Sequence, residues 1–346
     1  MSPLVGIIAN PVSARDIRRI ISHAGNMTIT DRANVVLRLM AGMAATGIEK
    51  VVMMPENSGI CRHLVRDLDR ASKQGQNGFP ELEIQDMPVS GKATDSAHAA
   101  KKMREVGVAT IIVLGGDGTH RVVAGACGDV PIASVSTGTN NAFPEMREPT
   151  ITGLAIGLAV TGKVPSSTAL RSNKRLEVHI NERCEIALVD VAIVRERFVG
   201  ARAVWKADSL RELFVTFGEP GGIGMSSIAG LLAPVNRDDP HGLHIVFAPT
   251  KSASISLNVP IAPGLMEVVG IDRADKLHFD NMVSIAPSTG SLALDGEREI
   301  SFSEEDRISV VLRDAAFRTV DVSATMAYAA EHGLFVEGDI SNFVSK

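Results

Sequence analysis

The chain is poor in cysteine. Cys61, Cys127 and Cys184 are scattered through 346 residues, odd in number and without a CxxC pair. Such spacing argues against a disulfide framework or a zinc site. It reads as three buried thiols in a reducing compartment. A basic excess is also missing: 35 Lys plus Arg stand against 40 Asp plus Glu, for a net charge of −5. Nucleic-acid partners select positive surfaces, so nucleic acid is not expected as the partner. No apolar run approaches the roughly 20 residues of a membrane helix. The most apolar segment, ITGLAIGLAV (151–160), is broken by glycines. The start, MSPLVGIIANP, has no basic leader and does not read as a signal peptide. No basic amphipathic helix offers itself to a lipid surface. Repeats and low-complexity tracts are absent too. These gaps leave a soluble, cytoplasmic protein that meets small molecules.

What is present is enough apolar residue, 45 %, to bury a large core, in a chain long enough for two domains. The first part alternates short apolar runs, LVGIIA (4–9), KVVMMP (50–55), LEIQDM (82–87), ATIIVL (109–114) and PIASVS (131–136), with helical patterns. Residues 31–45 place Val35, Val36, Leu39, Met40 and Met43 on one face, capped by Thr30 or Asp31. Residues 58–73, opened by Ser58, do the same with Ile60, Leu64, Val65 and Leu68. Residues 94–106 begin at Thr94 and Asp95. Strand and helix in alternation imply a parallel sheet with helices on its faces.

After about residue 172 the pattern changes. KRLEVHI, a polar Asn181-Glu182-Arg183 turn and CEIALVDVAIV form a hairpin pattern. Strand-like runs at 213–217, 243–248, 255–259, 276–280, 291–295 and 308–312 follow, with no amphipathic helix among them. The fold class is therefore α/β plus all-β: a Rossmann-like parallel α/β domain over 1–147 and an antiparallel β-sandwich over 148–321. A helix over 151–162, capped by Thr150, joins them. The tail, 322–346, packs back on the first domain or reaches a partner subunit.

Chemistry concentrates at Val113-Leu-Gly-Gly-Asp-Gly-Thr-His120, where a buried strand stops at a glycine turn. In an open parallel sheet, ligands bind beyond the carboxyl ends of the strands. Gly115, Gly116 and Gly118 let backbone N–H groups approach an anion, and a helix start adds positive potential. With the Thr119 hydroxyl they suit phosphate. Asp117 does not, unless it binds a cation, holds a hydroxyl or accepts a proton. A kinase needs all three at its acceptor alcohol, with magnesium on the donor phosphates. His120 reads as a solvated or helix-facing side chain. A second strand ends in Thr137, Gly138, Thr139, Asn140 and Asn141, groups that hold ribose hydroxyls or phosphate oxygens. A third end carries Asn10-Pro11. Asp190, an acid in an apolar strand, needs a ligand or a nearby arginine such as Arg195. Trp205-Lys206, before Asp208, reads as an ordinary packed indole. No GxGxxG follows the first strand, where IIANPVSA stands, so dinucleotide oxidoreduction has no support.

GGDGT, the TGTNNAFP loop and IIANP together resemble the superfamily of ATP-NAD kinases and diacylglycerol or sphingosine kinases. FVGARAVW and NNAFPEMREPT resemble its acetoin catabolism protein X branch. The resemblance implies an NAD kinase-like fold and ATP- and Mg2+-dependent transfer of a phosphoryl group to an alcohol. In NAD kinases that alcohol is the 2′-hydroxyl of NAD, and the GGDGT acid, here Asp117, is the base. The β half departs from that pattern: ALVDVAIV keeps the acid as Asp190 but has Val189 where the NAD kinases have Asn. GEPGGIGMSSIAG (218–230), with Ser226 and Ser227, stands in place of a Thr-Gly-Ser-Thr nucleotide segment. LALDGERE resembles the Asp-Gly-Glu turn of the lipid-type kinases, which implies a metal contact at Asp295 and Glu297. The acceptor is expected to be NAD or another small alcohol, with a non-catalytic nucleotide sensor as the alternative. Related two-domain kinases are commonly oligomers, so the resemblance implies a homo-oligomer.

Overall fold

A computed structural model describes residues 2–11, 27–75, 78–138, 141–196, 209–296 and 298–337. Of the residues singled out above, Thr139, Asn140, Trp205, Lys206, Asp208 and Glu297 lie outside them.

The amino-terminal part alternates as its periodicity predicts. Strand β1 (Val5–Ala9) is followed by helix α1 (Ile29–Ala44), β2 (Lys50–Met53), α2 (Ile60–Lys73), β3 (Glu81–Ile84), α3 (Ala93–Glu105), β4 (Thr110–Gly115), α4 (Asp117–Ala124) and β5 (Ile132–Ser136). The five strands are parallel, in the order β3-β2-β1-β4-β5. Strands β1 and β4 are buried along their whole length because helices cover both faces. The order reverses between them, so their carboxyl ends form the crevice where such sheets take ligands.

Helix starts differ from the simplest sequence reading. Thr28 caps α1, and its hydroxyl takes the Asp31 N–H while the Asp31 carboxylate returns to the Thr28 N–H, a reciprocal capping box. At α2 the cap is Gly59, at φ 108°, and the Glu56 carboxylate accepts the N–H groups of Gly59 and Cys61. Val65 is exposed instead of facing inward. The thiols also differ: Cys127 is buried, Cys61 half-buried and Cys184 exposed.

Helix α5 (Pro149–Val160) leads through a short turn of helix, α6 (Ser166–Ala169), into the second half. Its cap is the Glu148 carboxylate, with Pro149 in the first turn, in place of Thr150. Strands β6 (Leu170–Ile180), β7 (Arg183–Ala187), β8 (Asp190–Val194) and β9 (Leu210–Val215) come next. A short apolar helix α7 (Ser226–Leu232), which periodicity missed, precedes β10 (His241–Phe247) and β11 (Ile255–Ala262). Then come β12 (Leu265–His278), β13 (Met282–Ser284), β14 (Gly290–Leu294), β15 (Arg298–Phe302), β16 (Ile308–Val320) and α8 (Val322–Glu331). An antiparallel sheet runs β11-β12-β10-β9-β8-β14-β15.

The first sheet does not stop at residue 147. Strand β16 pairs with β5 in parallel at Thr319–Ile132, and with β6 antiparallel along most of its length. Strands β6 and β7 extend the order to β3-β2-β1-β4-β5-β16-β6-β7. Leu176, Val178, Val310 and Leu312 from this sheet meet Val191, Ile193, Phe214 and Leu292 from the other, which makes the sandwich core. Helix α8 sets Ala329 against Leu158, Val164 and Ala169, so this part of the tail returns to the chain's own α5 and α6.

Candidate active site

The glycine turn is built for close approach. A Cβ at Gly115 would lie 2.6 Å from the Thr119 Cβ, so no larger residue fits without moving the loop. Asp117 is the first residue of α4, behind Gly116 at the cap. The Asn10 amide donates to the Thr119 hydroxyl at 3.0 Å, and the Asn10 N–H donates to the Leu114 carbonyl at 3.2 Å. Strand ends β1 and β4 are thereby joined across the crevice. Beneath them lies Arg32 of α1, 1 % exposed, whose Nη1 donates to the Asn10 carbonyl at 2.6 Å.

His120 faces inward. It is fully buried, its Nδ1 lies 2.9 Å from the Gly116 carbonyl, and burial pushes its pKa down to about 4. A neutral imidazole offers no charge to phosphate. Its buried position corrects the solvated alternative.

Asp117 organises the second loop. One carboxylate oxygen accepts the Ala142 N–H at 3.0 Å and the other the Phe143 N–H at 2.8 Å. From the other side, Arg237 Nη2 donates to the Ala142 carbonyl at 2.8 Å. The guanidinium lies over the Phe217 ring at 4.1 Å and the Phe143 ring at 5.4 Å, with Nε 3.6 Å from a Glu219 oxygen. Burial lowers the pKa of Arg237, and Glu219, Glu145 and Asp117 oppose that shift. The turn that carries Arg237 is fixed by Lys174, whose Nζ donates to the carbonyls of Asn236, Asp239 and His241 at 3.0, 2.9 and 2.7 Å. Within the loop, the Asn141 amide donates to the Ser136 hydroxyl at 2.8 Å and the Gly138 carbonyl at 3.3 Å, so it braces its own backbone. Thr137 is buried.

Two of the cavities beside this assembly bear on the site. One, of 310 Å³, opens at the ends of β1, β2 and β3 and is lined by Asn10, Glu56, Ser58, Lys92, Asp95 and Ser96 among others. Asp95 accepts the Gly91 N–H and the Ser90 hydroxyl and N–H; burial works against its charge, yet these bonds hold its pKa below the usual range. The other, of 390 Å³, lies between the second loop and the 217–226 segment. Gly138, Asn141, Glu145, Phe217, Ser226 and Arg237 line it.

The remaining expected residues divide. Ser226 reaches the second cavity, while the Ser227 hydroxyl donates to the Gly224 and Pro260 carbonyls and is enclosed. Asp190 is buried at the start of β8, where its own N–H and carbonyl bond Asp295. The Asp295 carboxylate is fully enclosed. It accepts the N–H groups of Leu188, Val189 and Asp190 and lies 3.6 Å from Arg121. Burial raises its pKa, against the pull of Arg121. Asp295 and Gly296 both take positive φ, 49° and 64°, as an Asp-Gly turn requires. These partners suit a carboxylate that ties a strand bend, and they leave it no open side toward a cation.

Sequence reasoning missed Arg32, Arg237, Lys174 and Lys92. Arg32 had a signal, a cation on the apolar face of α1. Arg237 and Lys174 both come from the β half: Arg237 meets the second loop only in three dimensions, and Lys174 acts through the turn that carries Arg237.

Residues 5–162 match the family profile described as the ATP-NAD kinase N-terminal domain, and residues 174–315 that of the acetoin catabolism protein X C-terminal domain. Over 340 residues the chain is 50 % identical to acetoin catabolism protein X of Cupriavidus necator, covering 96 % of this chain and 94 % of that one. A solved Bacillus anthracis protein, described as a diacylglycerol kinase by inference, overlays with a TM-score of 0.48 at 12 % identity, over 92 % of this chain and 97 % of that one.

Proposed function

The chain belongs to the acetoin catabolism protein X family, and from that premise we propose that it transfers a phosphoryl group from ATP to the hydroxyl of a small molecule. The observation that carries this reading is the position of Asp117. It stands at the sheet's crevice, in hydrogen-bond contact with the loop that lines the 390 Å³ cavity, while Asn10, bonded to its neighbour Thr119, lines the 310 Å³ cavity.

In this reading ATP occupies the cavity beside Asn10, where Lys92 supplies a cation and Gly115, Gly116, Gly118 and Thr119 receive phosphate oxygens. The acceptor occupies the cavity beside Gly138 and Arg237. Each carboxylate oxygen of Asp117 accepts one backbone N–H, which fixes the carboxylate in place. In this reading Asp117 orients the acceptor hydroxyl and takes its proton. Magnesium on the nucleotide phosphates would supply charge neutralisation, and Asp117 is the carboxylate at the glycine turn that would meet it.

NAD is the first acceptor to test. Val189, buried and apolar, stands where NAD kinases carry Asn, which favours a different small alcohol as the second. A cytoplasmic homo-oligomer remains part of the proposal. The assay is ADP release from Mg-ATP with a panel of alcohols that begins with NAD. ADP formation that depends on one alcohol and vanishes in Asp117→Asn supports the kinase. The engagement of both Asp117 oxygens with backbone N–H favours a second reading, a nucleotide sensor without turnover. Calorimetric ATP binding with no ADP from any alcohol selects it.

A further inference from the structure

We propose a zinc site on the outer face of the β6–β7 hairpin, formed by Glu177, His179 and Cys184. Glu177 and His179 are two residues apart on β6, so they leave one face of the strand, opposite to Leu176 and Val178 in the core. Cys184 on β7 is directly opposite His179 in the strand register. One ligand atom from each of the three lies within 4.8 Å of the others. In a tetrahedral zinc site ligand atoms stand roughly 3.3–3.8 Å apart, so small side-chain rotations close the set.

The imidazole gives the second observation. His179 Nε2 is enclosed, has no hydrogen-bond partner among the described residues, and lies 3.9 Å from a Glu177 oxygen. A buried ring nitrogen without a partner is costly, and a metal ion would satisfy it. Glu177 is held for the purpose. One oxygen accepts from Arg175 at 2.6 Å and the other from Arg313 at 2.7 Å, the kind of outer contact that fixes a ligating carboxylate. Each oxygen still has a lone pair to give. Cys184 is exposed, which supplies the entry path and leaves a fourth position for water.

Thiolate, imidazole and carboxylate together select zinc over magnesium or calcium. Binding converts the Cys184 thiol to thiolate and releases its proton to solvent; no redox partner is needed. The thiolate offsets part of the ion's charge, while the Glu177 carboxylate is shared with Arg175 and Arg313. Spacing rules for zinc sites overlook this set because its one cysteine is completed by the neighbouring strand.

The test is titration of the chelator-treated, full-length protein with Co2+, followed by Zn2+. One equivalent of Co2+ should give a near-ultraviolet thiolate-to-metal band and tetrahedral visible bands, both displaced by Zn2+. Cys184→Ser should abolish the near-ultraviolet band, and His179→Ala should weaken binding at least tenfold. Cys61→Ser should change neither, and zinc should slow modification of Cys184 by a thiol reagent at least tenfold. Circular dichroism of each variant confirms that it folds. The proposal is overturned if no thiolate band forms, if the band survives Cys184→Ser, or if His179→Ala binds cobalt as tightly as the parent.

Discussion

Asp117 and Arg237 hold Ala142 by its two ends: the carboxylate accepts its N–H at 3.0 Å and the guanidinium donates to its carbonyl at 2.8 Å. One group comes from the parallel sheet and the other from the β half. The loop between the two cavities is thus set by both halves at once.

Asp117→Asn replaces two acceptor oxygens with one, so either Ala142 or Phe143 loses its partner. Stability should fall by about 1–3 kcal/mol, read from denaturant unfolding. If the proposed transfer occurs, turnover should fall ~10²–10⁴-fold, beyond what the lost stability explains.

Arg237→Lys keeps the charge but loses the planar contact with Phe217 and Phe143 and the fork that reaches Ala142. A loss of about 1–3 kcal/mol is expected in a thermal melt, with a raised KM for the acceptor and a smaller change for ATP. Lys174→Met should move the same parameters in the same direction, since Lys174 fixes the turn that carries Arg237.

His120 gives a pH signature. Its folded pKa is about 4, below the ordinary 6.5, because burial disfavours the imidazolium. Between these values the unfolded chain binds the proton that the folded one refuses. The stability from neutral His120 is therefore complete above about pH 6.5 and lost as pH falls through 4, by roughly 3–4 kcal/mol in all. In His120→Gln the unfolding free energy should change less between pH 7 and pH 4 than in the parent. An equal change in both chains would show that another group carries the acid sensitivity.

Gly115→Ala places a methyl group 2.6 Å from the Thr119 Cβ and should cost about 1–3 kcal/mol as the loop shifts. Gly221→Ala, whose added methyl meets nothing within 4 Å, is the matched control and should change the denaturation midpoint little.

Much of this was legible in the chain because it is local. Alternating apolar runs and helix faces gave the five parallel strands, and the glycine turn marked the crevice. The cap of α1 was misplaced by two to three residues because Asp31 looks like a cap while serving as the partner of Thr28. Helix α7 escaped notice because its seven residues, which open with two serines and include a glycine, are too few to show an amphipathic period. Arg237 was invisible for a different reason: its contacts join loops almost a hundred residues apart, and nothing around it in sequence marks a functional cation. The Asp295 turn was legible as a turn, but not the three N–H groups that fill its carboxylate.

The pairing of β16 with β5 bears on how the chain assembles. Ile132 precedes its partner Thr319 by almost two hundred residues. The β5 side of the parallel sheet must wait for almost the entire β half before its neighbour arrives. Pairings of such long sequence separation are slow to form and leave a strand edge exposed in the meantime. A fragment that ends near residue 147 would keep the glycine turn, yet lack the strand that pairs with β5. Completion of the parallel sheet is then coupled to the arrival of β16 from beyond the β half.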